Sequence, residues 1–211
     1  MIHPTRILLT AALLAAVSSV PAIADSVTFQ YTVDTTSQSG SYGYVDFQLN
    51  VGSSATAAQP VFANVFDFSG AVPNPSDGNN DETGTATGSL PDPLSFAAAP
   101  GFNDYFEGIT FGTEVSFYVT LDGSGVSLTG NGADATDATF GVFFYDSTIN
   151  TLFTVDPDTG AAGEVDIQAN GVPVTTGDLT PVPEPASLNY LLCAIVAGLF
   201  MALRRERPAT I

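Results

Sequence analysis

Apolar and polar residues alternate with period two along most of this chain, and this alternation constrains its fold more than any other feature. Between positions 42 and 51, valine, phenylalanine and leucine occupy every second position, with Asp46, Gln48 and Asn50 between them. Such a pattern buries one face of a strand and exposes the other. Similar segments, divided by Gly, Asn, Asp, Ser and Pro clusters, continue to about position 180. We therefore predict an all-β fold, a single antiparallel β-sandwich or jelly-roll-like domain.

Glycine and asparagine mark the expected turns between these strands. Residues 104–111 and 114–121 are predicted to be two strands joined at Gly112-Thr113. Residues 71–93 are predicted to form a long loop with at most one weak strand. Asn170-Gly171 predicts a type I′ hairpin turn, because both central residues of that turn need positive φ.

The N-terminus has the three parts of a secretory signal peptide. Arg6 gives a short positive region, residues 7–17 are apolar, and Ala22 and Ala24 form a small-x-small cleavage pattern. We expect cleavage after Ala24, which predicts an exported domain.

A second apolar segment, residues 188–203, lies near the C-terminus, close to the lower length limit of a membrane-spanning helix. Arg204, Arg205 and Arg207 follow it, and the positive-inside rule then leaves the C-terminus in the cytoplasm. The predicted division is a signal helix at 1–24, a β-sandwich domain at 25–178, a proline-bearing linker at 179–187, a transmembrane helix at 188–203 and a basic cytoplasmic tail at 204–211.

Charge excludes several functions. The net charge is -18, and no Lys, Arg or His occurs between Ile7 and Leu203. Such a surface repels phosphate, so nucleic acid is excluded as a partner. The only cysteine, Cys193, lies in the second apolar segment, so the domain lacks the base and the zinc ligands of common catalytic sites. Carboxylates such as Glu107, Glu114 and Glu164 remain, but no motif selects a pair, so we expect no enzyme.

Calcium is the one candidate cofactor. Asp77, Asn79 and Asp81 offer oxygen ligands at alternate positions, as at the start of a D-x-N-x-D calcium loop. Glu82 stands where that loop needs glycine, and Gly88 stands where it needs its bidentate glutamate. The alternative is that Asp, Asn and Gly are simply turn formers here.

Carbohydrate binding is a further hypothesis for a β-sandwich of this kind. Sugar-binding surfaces favour exposed aromatic side chains, and the chain has no Trp. The candidate aromatic residues are Tyr42, Tyr44, Tyr105 and Tyr118, each of which could instead pack within the sheet.

The C-terminal segments together resemble the PEP-CTERM sorting signal of Gram-negative bacteria that make extracellular polysaccharide. The motif residues are Val182, Pro183, Glu184, Pro185, Ala186 and Ser187, and the apolar segment and the arginines follow in the family's order and spacing. Residues 29–35, 43–50 and 103–112 also look like one β-rich group of these proteins, which has no assigned activity.

This resemblance implies processing by exosortase, a membrane-embedded cysteine transpeptidase-like enzyme that cuts near the Pro-Glu-Pro residues. The protein would begin as a membrane-anchored precursor and finish at the cell surface or outside the cell. We therefore expect a non-catalytic surface or extracellular-matrix protein, associated with exopolysaccharide or biofilm. The alternatives are a calcium-dependent glycan-binding module and, third, an extracellular carboxylate-dependent hydrolase.

Overall fold

The computed structural model describes residues 26–51, 60–128 and 138–182. The predicted signal peptide, the PEP residues from Pro183 onward, the second apolar segment and the basic tail lie outside these ranges. The strands are β1 Val27–Asp34, β2 Tyr42–Val51, β3 Phe62–Pro73, β4 Asp81–Thr83, β5 Leu94–Ala97, β6 Asp104–Asp122, β7 Ala138–Asp146, β8 Thr151–Leu152, β9 Gly163–Ile167, β10 Pro173–Gly177 and β11 Leu179–Val182.

The prediction of an all-β fold is confirmed. The strands of the described ranges form one open antiparallel sheet, with the order β10-β9-β7-β2-β6-β1-β11 and with β3, β4, β5 and β8 attached beside this path. A short 3-10 turn at Thr36–Gln38 is the one helical element of the described residues. No helix within these ranges is long and apolar enough to cross a membrane.

Strand β6 divides the sheet into two arms that face each other. Its first half pairs with β2 and β4, and together with β7, β8, β9 and β10 these strands are the first arm. Its second half pairs with β1 and with the start of β3, and together with β5 and β11 these strands are the second arm. Phe47 of β2 and Phe117 of the second half of β6 are not sheet neighbours, yet their rings meet edge to face at 5.0 Å. Tyr31 of β1 likewise stacks on Phe144 of β7 at 6.2 Å. The β-rich, sandwich-like character follows from this contact between the arms.

The core between the arms is aromatic and follows the alternation in the sequence. Val45, Phe47 and Leu49 are fully buried, as the period-two pattern of β2 predicts. The large side chains that are almost wholly buried include Phe29, Tyr31, Phe47, Phe117, Phe140 and Phe144. The apolar face of each strand fills the core. The opposite face of β2, β7 and β9 therefore lies outside, and it carries polar side chains together with Phe143.

The predicted turn at Gly112-Thr113 is wrong, because β6 runs through it without interruption. The glycine serves a close approach of two strands instead. A Cβ atom at Gly112 would lie 2.0 Å from the carbonyl oxygen of Gly70 in β3, and one at Gly70 would lie 1.9 Å from that of Glu114. Gly70 also has φ +86°, and the register of β3 shifts on both sides of Ser69. The glycines therefore mark a bulge, not a chain reversal.

The hairpin predicted at Asn170-Gly171 forms between β9 and β10, but its turn is not of type I′. Gly171 has φ +82°, whereas Asn170 is absent from the non-glycine residues with positive φ. The Gly171 N–H donates to the carbonyl of Gln168 at 2.7 Å, which closes a four-residue turn that ends at the left-handed glycine. This is the three-residue hairpin that joins a type I turn to a glycine bulge.

The sheet continues into the predicted linker. Residues 179–182 form β11, which pairs with β1 and places Val182 opposite Thr28. Pro181 lies within this strand, which is an edge strand, where a missing N–H is tolerated. The folded unit therefore includes the first residue of the predicted sorting motif.

Candidate functional site

The outer face of the first arm carries polar side chains that align in rows across its strands. The register aligns Gln48 of β2, Gly141 of β7 and Glu164 of β9 in one row across the strands. The next row contains Asn50, Thr139 and Asp166. Because directly opposed residues of antiparallel strands point to the same face, these side chains form one continuous surface.

A groove crosses this surface. It encloses a cavity of about 360 Å³. The residues that line and define this groove are Gln48, Asn50, Thr139, Gly141, Phe143, Thr159 and Glu164.

Gly141 opens the groove at its centre. It lies between Gln48 and Glu164, where any larger residue would fill the row. A Cβ atom at this position would also lie 2.8 Å from the ring of Phe143, closer than real Cβ contacts come. The glycine therefore lets the half-buried Phe143 ring lie against the backbone and face the groove as an apolar wall.

Hydrogen bonds along β2 fix the polar wall of the groove. The Gln48 amide donates to Oδ2 of Asp46 at 2.7 Å, and the Asn50 amide donates to Oε1 of Gln48 at 3.1 Å. The Asn103 backbone N–H donates to Oδ1 of Asn50 at 2.9 Å. These hydrogen bonds orient the wall before any ligand arrives. Each primary amide also has a second N–H that can donate to a ligand.

The other wall is acidic. Oε2 of Glu164 accepts a hydrogen bond from the Thr159 hydroxyl at 3.4 Å, and Thr139 donates to Asp166 at 2.7 Å. Burial raises the pKa of Glu164, and the negative charges of Asp166 and Asp156 raise it further. No Lys, Arg or His occurs between Ile7 and Leu203, so the surface suits neutral or positively charged ligands.

An aromatic ring beside amides, hydroxyls and a carboxylate is suited to a ligand with an apolar ring face and a rim of hydroxyl groups. The ring packs against the C–H face, and the amide and carboxylate groups exchange hydrogen bonds with the rim. The composition of the groove therefore suits a polyhydroxylated chain, and none of its lining residues is a nucleophile activated by a basic side chain.

The predicted calcium residues form a turn on the same outer face. Oδ1 of Asp77 accepts the Asn79 backbone N–H at 2.8 Å, and Oδ2 of Asp77 accepts the Tyr42 hydroxyl. These bonds hold the pKa of Asp77 below its usual value. Asp81 accepts the Thr83 hydroxyl at 3.2 Å. The described ranges contain no group of three or more His, Cys, Asp or Glu side chains that could hold a metal ion. Calcium binding at Asp77, Asn79 and Asp81 therefore stays a prediction.

The four candidate tyrosines of the sequence are dispersed. Tyr42 and Tyr44 meet edge to face at 5.5 Å, and the turn at Asp77 and Asn79 covers both hydroxyls. Tyr105 packs in the core, and Tyr118 stacks on Phe66 of the second arm at 5.5 Å. None of them lines the groove.

The candidate carboxylates do not meet in one site either. Glu164 lines the groove, Glu114 is exposed where β6 passes the bulge, and Glu107 is buried beside Tyr105. Of the sorting motif, Val182 lies in β11, and residues 183–187 lie outside the described ranges, as do the signal-cleavage alanines and the C-terminal arginines.

No family model matches the chain, no curated protein matches it, and no solved structure matches it.

Sequence reasoning misses most of the groove. The alternation of β2 predicts that Asp46, Gln48 and Asn50 share its solvent face, but no local pattern joins them to Phe143 or Glu164. The one available signal is Gly141 within an otherwise aromatic strand, because an isolated glycine in a strand marks a bulge or a close approach.

Proposed function

We propose that the chain is an exported, non-catalytic surface or extracellular-matrix protein that binds polysaccharide in the groove. The export and sorting parts of this proposal rest on the sequence of the two ends. The binding part rests on one observation: an aromatic ring, Phe143, lies beside oriented amides and a carboxylate on an open sheet face.

The composition of the groove supports a neutral glycan as the ligand. Phe143 provides an apolar surface for a sugar ring, and Gln48, Asn50 and Glu164 surround it with donors and acceptors. The dense negative charge of the chain disfavours phosphorylated or sulfated polymers. The pairing of β2, β7 and β9 fixes the backbone of the groove, and hydrogen bonds orient Gln48, Asn50 and Glu164 before binding, which lowers the entropic cost of association.

Sorting is tested by intact mass spectrometry of the native protein from washed cells and from medium. Processing by exosortase predicts a mature protein that ends between Pro183 and Ser187, with any surplus mass reporting what is attached there. A mass that runs from Asp25 to Ile211 and occurs only in membranes would contradict sorting-type processing and leave a single-span anchored domain.

Polysaccharide binding is expected to weaken about tenfold or more when Phe143 is replaced by alanine, because the apolar wall of the groove is lost. The measurement is a glycan array with the wild-type protein, followed by titration of the strongest ligand against both proteins. Phe66→Ala is the matched control, because Phe66 is a half-buried aromatic residue on the outer face of the second arm.

The control variant should bind the ligand as tightly as wild type. Equal binding by the Phe143→Ala and wild-type proteins would remove the groove from the proposal. The array is run with and without calcium, and binding that requires calcium would favour the calcium-dependent glycan-binding module. Shortening of the glycan during the titration, lost in Glu107→Gln, would favour the hydrolase.

A further inference from the structure

A second cavity lies at the edge of the first arm that β4 forms, where β4 pairs with the start of β6. It has a volume of about 330 Å³. We call it the edge pocket, and its lining residues include Pro75, Asp81, Glu82, Ser89, Tyr105 and Glu107. The register places Glu82 opposite Tyr105, so Glu82 lies on the same face of the sheet as Tyr105 and Glu107.

Glu107 is the unusual member of the edge pocket. Its side chain is 1% exposed, and Oε2 accepts a hydrogen bond from the Tyr105 hydroxyl. That hydroxyl in turn accepts the Leu90 backbone N–H at 3.1 Å, which fixes its direction. Oε1 of Glu107 has no hydrogen-bond partner within the described part of the chain.

A buried carboxylate of this kind needs compensation. Burial raises the pKa of Glu107, hydrogen bonding by Tyr105 and by the Leu90 backbone opposes the rise, and the negative charge of Glu82 adds to it. A buried charge is stable only when it is paired, and the chain has no basic side chain between Ile7 and Leu203 that could pair with it. The protein therefore relies on a proton or on an external cation to neutralise this pocket.

The chemistry of the pocket favours an organic cation over a metal ion. Calcium takes six to eight oxygen ligands, and no group of three carboxylates within the described residues could hold it. Asp81 already accepts the Thr83 hydroxyl. A primary ammonium group has three N–H donors, and the lining of the edge pocket offers the acceptors Glu107, Glu82 and the Ser89 hydroxyl. The ring of Tyr105 and the side chain of Pro75 provide an apolar surface for the carbon skeleton of the ligand that carries the ammonium group.

We propose that the edge pocket binds the primary ammonium group of an amino sugar within a polysaccharide, with Glu107 as the buried counter-ion and Glu82 as the second carboxylate. Only the choice of a sugar as the carrier rests on the proposed function. The edge pocket and the groove share no lining residue, so the two sites are tested separately.

The test is a calorimetric titration of the full chain at pH 6 with a glucosamine oligosaccharide and with its fully N-acetylated counterpart. The two probes differ only in the charge and bulk at the amino group. Wild type is expected to bind the glucosamine probe at least about tenfold more tightly than the N-acetylated probe. Glu107→Gln, which keeps the shape and removes the charge, is expected to abolish this preference.

Glu114→Gln is the matched control, because it removes the same charge from an exposed position of the same strand. It should leave the preference intact. Equal losses in both variants would overturn the proposal, since they would show attraction by net charge alone. Glu82→Gln is expected to weaken the preference for the glucosamine probe several-fold. Because Glu82 is exposed, this variant replaces Glu107→Gln in the test if Glu107→Gln does not fold.

Two further outcomes separate the edge pocket from its alternatives. A rise in the melting temperature with calcium chloride that Glu107→Gln abolishes, without any preference for the glucosamine probe, would overturn the proposal in favour of a metal site. Preference for the glucosamine probe that persists in Phe143→Ala would support the edge pocket even where the groove binds no neutral glycan.

Discussion

Replacement of Asp46 by asparagine is expected to stabilise the folded protein above pH 7. It should also reduce the fall in unfolding free energy that wild type shows as the pH rises from about 4 to about 7. The expected gain at neutral to alkaline pH is on the order of 4 kcal/mol, because three pKa units correspond to about that free energy. Few single substitutions at a polar position stabilise a protein by so much.

The cause is the burial of Asp46 on the outer face of β2. Its side chain is 5% exposed, and Oδ1 has no hydrogen-bond partner in the described ranges. Burial raises the pKa of Asp46 to about 7, the Gln48 amide opposes the rise, and the negative charge of Asp104 adds to it. Burial raises the pKa of Tyr145 of β7 to about 12, and the negative charges of Asp46 and Asp104 add to the rise.

The direction of the pH effect follows from the proton count. Between the unfolded pKa near 3.8 and the folded pKa near 7, the folded state holds a proton that the unfolded state has released. The free energy of unfolding therefore falls with rising pH in this window, and the full loss is reached above the folded pKa. The pKa values of Asp104, Glu107 and Glu164 are also raised, so part of the slope remains in Asp46→Asn.

Urea unfolding of both proteins at several pH values between about 4 and about 8 measures this difference. Asp92→Asn is the control, because Asp92 lies exposed in a turn, and its slope should equal that of wild type. Parallel pH profiles for Asp46→Asn and wild type would contradict this account of the buried carboxylate.

Replacement of Phe117 by alanine is expected to cost about 3–5 kcal/mol of unfolding free energy, as large core truncations do. Phe117 is fully buried, stacks on Tyr31 at 4.9 Å and meets Phe47 edge to face at 5.0 Å. It thus joins the two arms of the sheet, and its loss leaves a cavity where they meet.

Phe62→Ala is the control for this prediction, because Phe62 is 40% exposed and lies outside the core. Its cost should stay below about 1.5 kcal/mol, since much of its surface already contacts water. Urea unfolding at one pH compares the two variants. Equal losses would contradict the position of Phe117 at the contact between the arms.

The all-β class and the buried face of β2 could be predicted because strand alternation is a local signal. Val45, Phe47 and Leu49 face the core, and Asp46, Gln48 and Asn50 face outward, as the pattern requires. The continuity of β6 could not be predicted in the same way. A glycine marks both turns and close strand contacts, and only the position of Gly70 beside Gly112 decides between them.

Long-range pairing explains the remaining differences. β11 lies in the sheet because it pairs with β1, about 150 residues earlier in the chain, and no local pattern around Pro181 predicts that partner. The groove has the same origin, since β2, β7 and β9 each contribute isolated polar residues. A signal that forms only when distant strands align cannot be found along one segment.

Mapping of the bound ligand on the protein tests polysaccharide binding in the groove. Backbone amide shifts would be followed by nuclear magnetic resonance while the strongest polysaccharide fragment from the array is added. Binding in the groove predicts that the largest shifts occur at Gln48, Asn50, Gly141, Phe143 and Glu164. Shifts that spare these residues, or that concentrate on the second arm around Phe66 and Tyr118, would contradict polysaccharide binding in the groove.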